Sequence, residues 1–121
     1  MTTTISLANI SPTPLKADMH VLVPSPADGS YTIALKTSTG GTISSINVIT
    51  SSGSCSVAVR INGANVVWPS SATTVAATTS INEKAAASSN SFGIGAKIEL
   101  VVSSSSTPEN LAVTIAYTRT A

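Results

Sequence analysis

Ser54-Cys55-Ser56-Val57-Ala58-Val59-Arg60-Ile61-Asn62-Gly63-Ala64-Asn65-Val66-Val67-Trp68 is the stretch on which the fold turns. Cys55, Val57, Val59 and Ile61 alternate with Ser54, Ser56, Ala58 and Arg60. A strand sends successive side chains to opposite faces, so the first set faces a core and the second is more polar. Asn62-Gly63 then supplies two residues that tolerate positive φ, as a type I′ turn requires. Val66 and Trp68 resume the apolar face. The stretch specifies antiparallel β structure and no chemistry.

Outward from the hairpin, the same period recurs. Tyr31, Ile33 and Leu35 alternate with Thr32, Ala34 and Lys36. Thr42 to Thr50 carries Ile43, Ile46, Val48 and Ile49, and the break between Ile43 and Ile46 predicts a bulge or a change of sheet. With the hairpin, residues 42–68 read as a three-stranded meander. Asp18 to Val23 reads as a first strand, stopped by Pro24 and Pro26. Toward the C-terminus, Ile98, Leu100 and Val102 alternate with Lys97, Glu99 and Val101. Ser103 to Asn110 reads as a loop. A last strand places Leu111, Val113, Ile115 and Tyr117 on one face.

Residues 70–92 hold few large apolar side chains. Two short strands near Thr73–Thr78 and Asn82–Ala87 compete with one helical turn over Glu83–Ala87, and the β neighbourhood favours strands. The expected fold is all-β: an antiparallel β-sandwich or jelly roll of seven to nine short strands in a single domain. Residues 1–18, with Ile5, Leu7 and Ile10 interrupted by Pro12 and Pro14, read as an N-terminal arm or edge strand. Residues 19–121 form the sandwich.

The chain has 121 residues, enough for one self-sufficient core. Charged residues are only 9%, against about 25% in typical domains, and Ser and Thr, roughly a third of the chain, take their place. Net charge is +1, and the six Lys and Arg are scattered between Lys16 and Arg119. Neutralising a run of phosphates needs a basic stripe, so neither nucleic acid nor an anionic membrane is an expected partner. The first residues, Met-Thr-Thr-Thr-Ile-Ser-Leu, lack a basic n-region and a long apolar run, so no signal peptide is read there.

No catalytic set emerges. His20 is the one histidine, it lies among apolar strand residues, and no Gly-x-Ser-x-Gly elbow is present. Asp18, Asp28, Glu83, Glu99 and Glu109 fall at turns or outward strand positions and read as solvated charges rather than paired carboxylates. They are not clustered in a calcium-binding loop either. A lone Cys55 at an inward position reads as a small buried hydrophobe, with no disulfide and no multi-cysteine zinc site. No enzyme activity, metal or cofactor is expected. Trp68 is weighed as a packing residue or a stacking platform, because large aromatics dominate both settings. Trp68, Arg60 and Tyr31 are the candidate residues for a ligand or subunit interface.

The C-terminal half carries a resemblance. Asn62-Gly63 follows an alternating strand, then comes a Ser/Thr/Ala tract. Gly95-Ala96-Lys97-Ile98-Glu99-Leu100-Val101-Val102-Ser103 runs into serines, and Leu111-Ala112-Val113-Thr114-Ile115-Ala116-Tyr117-Thr118-Arg119 ends the pattern. Over residues 40–119 this resembles the small β-sandwich module of virion proteins in tailed bacteriophages and gene-transfer-agent particles. That family's turn usually carries an acidic residue after the glycine, where this chain has Ala96-Lys97. The resemblance implies a virion structural protein: a head spike, fibre or capsid decoration subunit, commonly a homotrimer, contacting other virion proteins such as capsid or fibre subunits. It implies assembly in the host bacterial cytoplasm. The alternative from a different class is a carbohydrate-binding module for a host-receptor glycan.

Overall fold

A computed structural model describes residues 15–119. Two antiparallel five-stranded sheets stack face to face. In the first, β1 (Leu15–Val23) pairs with β10 (Leu111–Arg119), which pairs with β3 (Gly41–Ile49). The short β7 (Asn82–Ala85) and β8 (Ser91–Phe92) pair with the far side of β3. In the second, β2 (Gly29–Ala34) pairs with β9 (Ile98–Glu109), which pairs with β4 (Ser52–Ile61). The short β5 (Ala64–Asn65) and β6 (Val75–Ala77) flank β4. The sandwich therefore has ten strands, and its only helical element among the described residues is a 3₁₀ turn at Pro69–Ser71.

Period-two alternation builds the core. Ile43, Ile46 and Val48 of β3 and Leu111, Val113 and Ile115 of β10 face inward from one sheet. Val57 and Val59 of β4 meet them from the other, with Ile98, Leu100 and Val102 of β9. The break between Ile43 and Ile46 is a bulge. Tyr117 opposes Ile43 and Ala116 opposes Ser45, so Ser44 is the extra residue and both isoleucines stay inside. The hairpin turn forms as expected, with Asn62 at φ 51° and Gly63 at φ 86°. The 70–92 region folds as strands and not as a helix, because β6 and β7 each find a partner strand.

Three expectations are corrected. Residues 42–68 are not one meander, since β3 and β4 belong to different sheets. Alternation tells which side of a strand is apolar and not which sheet the strand joins. The chain changes sheet at Thr50–Gly53. Thr50 is buried, its N–H donates to the Thr78 carbonyl at 2.8 Å and its Oγ1 to the Gly53 carbonyl at 2.9 Å. Gly53 itself takes φ 70° against the backbone of Ser106 and Thr107.

The serine run 103–109 is not a loop but the second half of β9. It pairs with β4 through two bulges, Ser56 opposing Ser103, Ser54 opposing Ser106 and Ser52 opposing Glu109. Each bulge carries a residue in left-handed conformation, Ser104 at φ 51° and Thr107 at φ 43°. The Asp28 carboxylate secures this stretch, accepting from the Ser105 N–H at 3.1 Å and its hydroxyl at 2.6 Å. Leu35 does not continue the inward face of β2. The pairing with β9 slips between Thr32 and Ala34, the strand ends at Ala34, and Leu35 is 71% exposed. Strand β1 begins at Leu15, so Leu15 to Asp18 lie in an edge strand, and residues 1–14 lie outside the described residues.

Candidate functional site

The three residues singled out from sequence lie apart in role. Trp68 is 1% exposed and packs in the core between β5 and the Pro69–Ser71 turn. Its N–H bonds the Ala72 carbonyl at 2.7 Å, so the backbone pins the ring in place. Its indole nitrogen has no acceptor among the described residues. Buried in this way, the ring offers no open face on the single chain. Arg60 lies on β4, half-buried, and donates from Nε to Asn65 Oδ1 at 3.0 Å across the hairpin. That contact steadies the turn. Tyr31 is half-buried on β2, and its hydroxyl both donates to the Ala27 carbonyl at 2.7 Å and accepts from the Ala27 N–H at 2.9 Å. It closes the loop between β1 and β2.

A concavity lies elsewhere, at the open edge of the sandwich where β1 and β2 are the outermost strands. It is a cleft of about 360 Å³. Met19 and His20 of β1 form one wall, Ile33, Ala34 and Lys36 to Thr39 the other, and Phe92 and Tyr117 the floor. The two rings are tilted by 60° with centroids 5.6 Å apart, a favourable edge-on arrangement. The loop wall is held by Thr37. Its N–H bonds the Ala96 carbonyl at 2.9 Å, and its carbonyl accepts from the Gly95 N–H at 2.7 Å. Its hydroxyl donates to the Gly93 carbonyl at 2.9 Å and accepts from the Ala96 N–H at 3.0 Å. His20 Nδ1 lies 3.3 Å from Thr114 Oγ1 on β10.

Chemically, the cleft joins an apolar floor to hydroxyl, imidazole and ammonium groups at its rim. The rim groups hydrogen-bond, and the floor receives an apolar or ring-shaped surface. His20 is partnered by a hydroxyl, and among the described residues no carboxylate hydrogen-bonds it as the orienting acid of a catalytic triad would. Among the described residues no three metal-ligating side chains converge. Burial pushes the Cys55 thiol up, with the negative charge of Asp28 adding to it, which keeps the sulfur protonated. Reading the sequence had missed Thr37, Lys36 and Met19. Thr37 acts through partners more than fifty positions away, so no local pattern marks it.

Fold and site together define an antiparallel ten-strand sandwich with an edge cleft. No protein-family model matches the chain, and no curated protein matches it. Among solved structures it is similar to a chain in the structure of infectious bursal disease virus, Gx strain. The identity is 14%, with 85% of this chain and 32% of that chain covered, at a TM-score of 0.39. It is also similar to a chain of the T13 IBDV viral particle, at 14% identity, 89% and 36% coverage and a TM-score of 0.41. The chain thus spans about a third of the length of the structures it matches.

Proposed function

We propose that this chain is a structural protein of a bacteriophage or phage-like particle, a surface spike, fibre or capsid decoration subunit that acts through protein–protein contacts. One observation carries the reading: a well-packed sandwich in which the middle of one outward sheet face is neutral, with Lys16, Asp18, His20 and Glu83 confined to its flanking strands. On the outward side of the first sheet, Ala112, Thr114 and Ala116 of β10 lie beside Ser45, Asn47 and Ile49 of β3, all half-buried. Packing another subunit there desolvates few charges, and charge is what interface cores avoid. The resemblance of residues 40–119 to phage virion modules supports the same reading, as does its implied homotrimer. Assembly in the host cytoplasm and incorporation into the virion follow from it.

A second reading rests on the edge cleft. Its aromatic floor and hydroxyl rim suit a sugar ring, so a host-surface glycan is its ligand class. The deciding experiment is mass spectrometry of purified particles released by the host that encodes the chain. The protein is expected at stoichiometric copy number. Its absence from particles refutes the virion reading, and saturable binding of glycans by the isolated chain, lost in Tyr117→Ser, then supports the second.

A further inference from the structure

We infer that the outer edge of β1 is a self-pairing surface, on which a second copy of this chain adds its own β1 antiparallel about a two-fold axis. In the described sandwich β1 pairs with β10 alone, so its other side carries unpaired backbone donors and acceptors. It is the longest strand at any edge: nine residues, against six in β2 and four in β7. Folded proteins blunt such edges with proline, bulges, inward charges or charged side chains along the edge, and of these β1 carries only the last, in Lys16 and Asp18. Between Leu15 and Val23 there is no proline, the register with β10 runs through nine pairs without a shift, and no charged side chain faces inward. The inward residues Ala17, Met19 and Val21 remain half-buried, an apolar row covered on one side only.

Charge chooses the register. Opposed residues in an antiparallel pair lie on the same face, so a dyad perpendicular to the sheet matches residues whose numbers sum to an even value. A sum of 38 centres the axis on Met19 and overlaps all nine residues. It places Asp18 of one copy opposite His20 of the other, twice over by symmetry, and Lys16 opposite Leu22. The imidazole donates an N–H to the carboxylate whether or not it is charged. Inside, Met19 meets Met19 and Ala17 meets Val21, which extends one core into the next. A slip to a sum of 36 sets Asp18 against Asp18, and a slip to 40 sets His20 against His20. A sum of 34 pairs Lys16 with Asp18 but overlaps only five residues. Full overlap and charge matching thus select one register. The contact goes beyond the virion reading, and it joins copies in pairs whatever three-fold grouping other faces produce.

Sedimentation equilibrium of the full chain tests it, alongside charge-swapped variants. The expected result is a species with an even number of chains. Asp18→Lys weakens that association about tenfold, since both carboxylate acceptors are lost and an ammonium that cannot accept faces each imidazole instead. Asp18→Lys combined with His20→Asp restores it. In a second measurement, Met19→Cys cross-links to a covalent pair with a short bis-maleimide, and Ala17→Cys does so far more slowly. A chain that stays monomeric at every concentration overturns the inference. So does an association that the charge swap leaves unchanged, or one in which Ala17→Cys cross-links faster than Met19→Cys.

Discussion

Gly53 and Gly63 share one backbone conformation and differ in what surrounds them, which isolates a single physical cost. Their φ angles are 70° and 86°, both left-handed. A Cβ added at Gly63 meets nothing within 4 Å. A Cβ added at Gly53 overlaps the Thr107 carbonyl and comes within 2.6 Å of the Ser106 carbonyl oxygen. Both contacts are backbone, part of the bulged half of β9, and neither moves without opening the β4–β9 pairing. Gly63→Ala therefore carries only the left-handed penalty, about 1 kcal/mol. Gly53→Ala carries that penalty plus an overlap that the paired backbone cannot relieve, about 1–3 kcal/mol more. The total, about 2–4 kcal/mol, is a large fraction of the 5–15 kcal/mol typical of a domain. Urea unfolding with the m-value held common separates the two variants by midpoint. Equal midpoints for Gly53→Ala and Gly63→Ala would refute the proposed close approach of β4 to β9 at this crossing.

Trp68→Ala is expected to cost about 3–5 kcal/mol, since it empties a buried ring site, while Trp68→Phe costs less and also removes the unpartnered N–H; thermal melts order the three proteins. Cys55 titrates with its folded pKa above the unfolded value, so the folded state holds the proton more tightly once pH passes the unfolded thiol's range. Stability is therefore full below about pH 8.5 and falls as pH rises beyond it, and Cys55→Ala flattens that alkaline slope in urea midpoints measured from pH 7 to 10. Asp28→Asn, which replaces the acceptor of two bonds from Ser105, lowers the urea midpoint by an amount corresponding to about 1 kcal/mol. Leu35→Ser changes stability by less than about 0.5 kcal/mol, because the side chain is largely in solvent, and a drop of several times that places Leu35 back in the core.

The local half of this fold is legible in the chain. Val57, Val59, Ile98, Leu100, Val113 and Ile115 sit inside because alternation is a property of the strand itself. Asn62-Gly63 turns because its two residues accept positive φ wherever they stand. The missing half is relational. Nothing within Thr42 to Ile61 states that the chain changes sheet at Thr50, because the Thr78 carbonyl that caps Thr50 is set by a distant segment. Ser103 to Glu109 composes like a loop, and only pairing with Ser52 to Ser56 makes it a strand. The edge cleft is assembled from four separate stretches, so its residues were counted singly and never as a group. Trp68 reads from sequence as a packing residue, in the core or at a subunit interface, or as a ligand-stacking platform, with no local signal to decide, and it is buried in the core of the single chain.

The pairing of β1 with β10 has a consequence for the order of events in folding. Leu15 opposes Arg119, and β10 is the inner strand that joins β1 to β3. Until residues 111–119 have left the ribosome, β1 lacks its neighbour among the described strands and the first sheet has a missing middle. The second sheet waits in the same way, since β2 and β4 are held together by β9. Loop closure over such separations is entropically slow, so folding on the millisecond-to-second scale of non-local β proteins is expected. Until β10 emerges, the nascent first sheet thus presents the β10-facing edges of β1 and β3, and β10 is the strand that covers both.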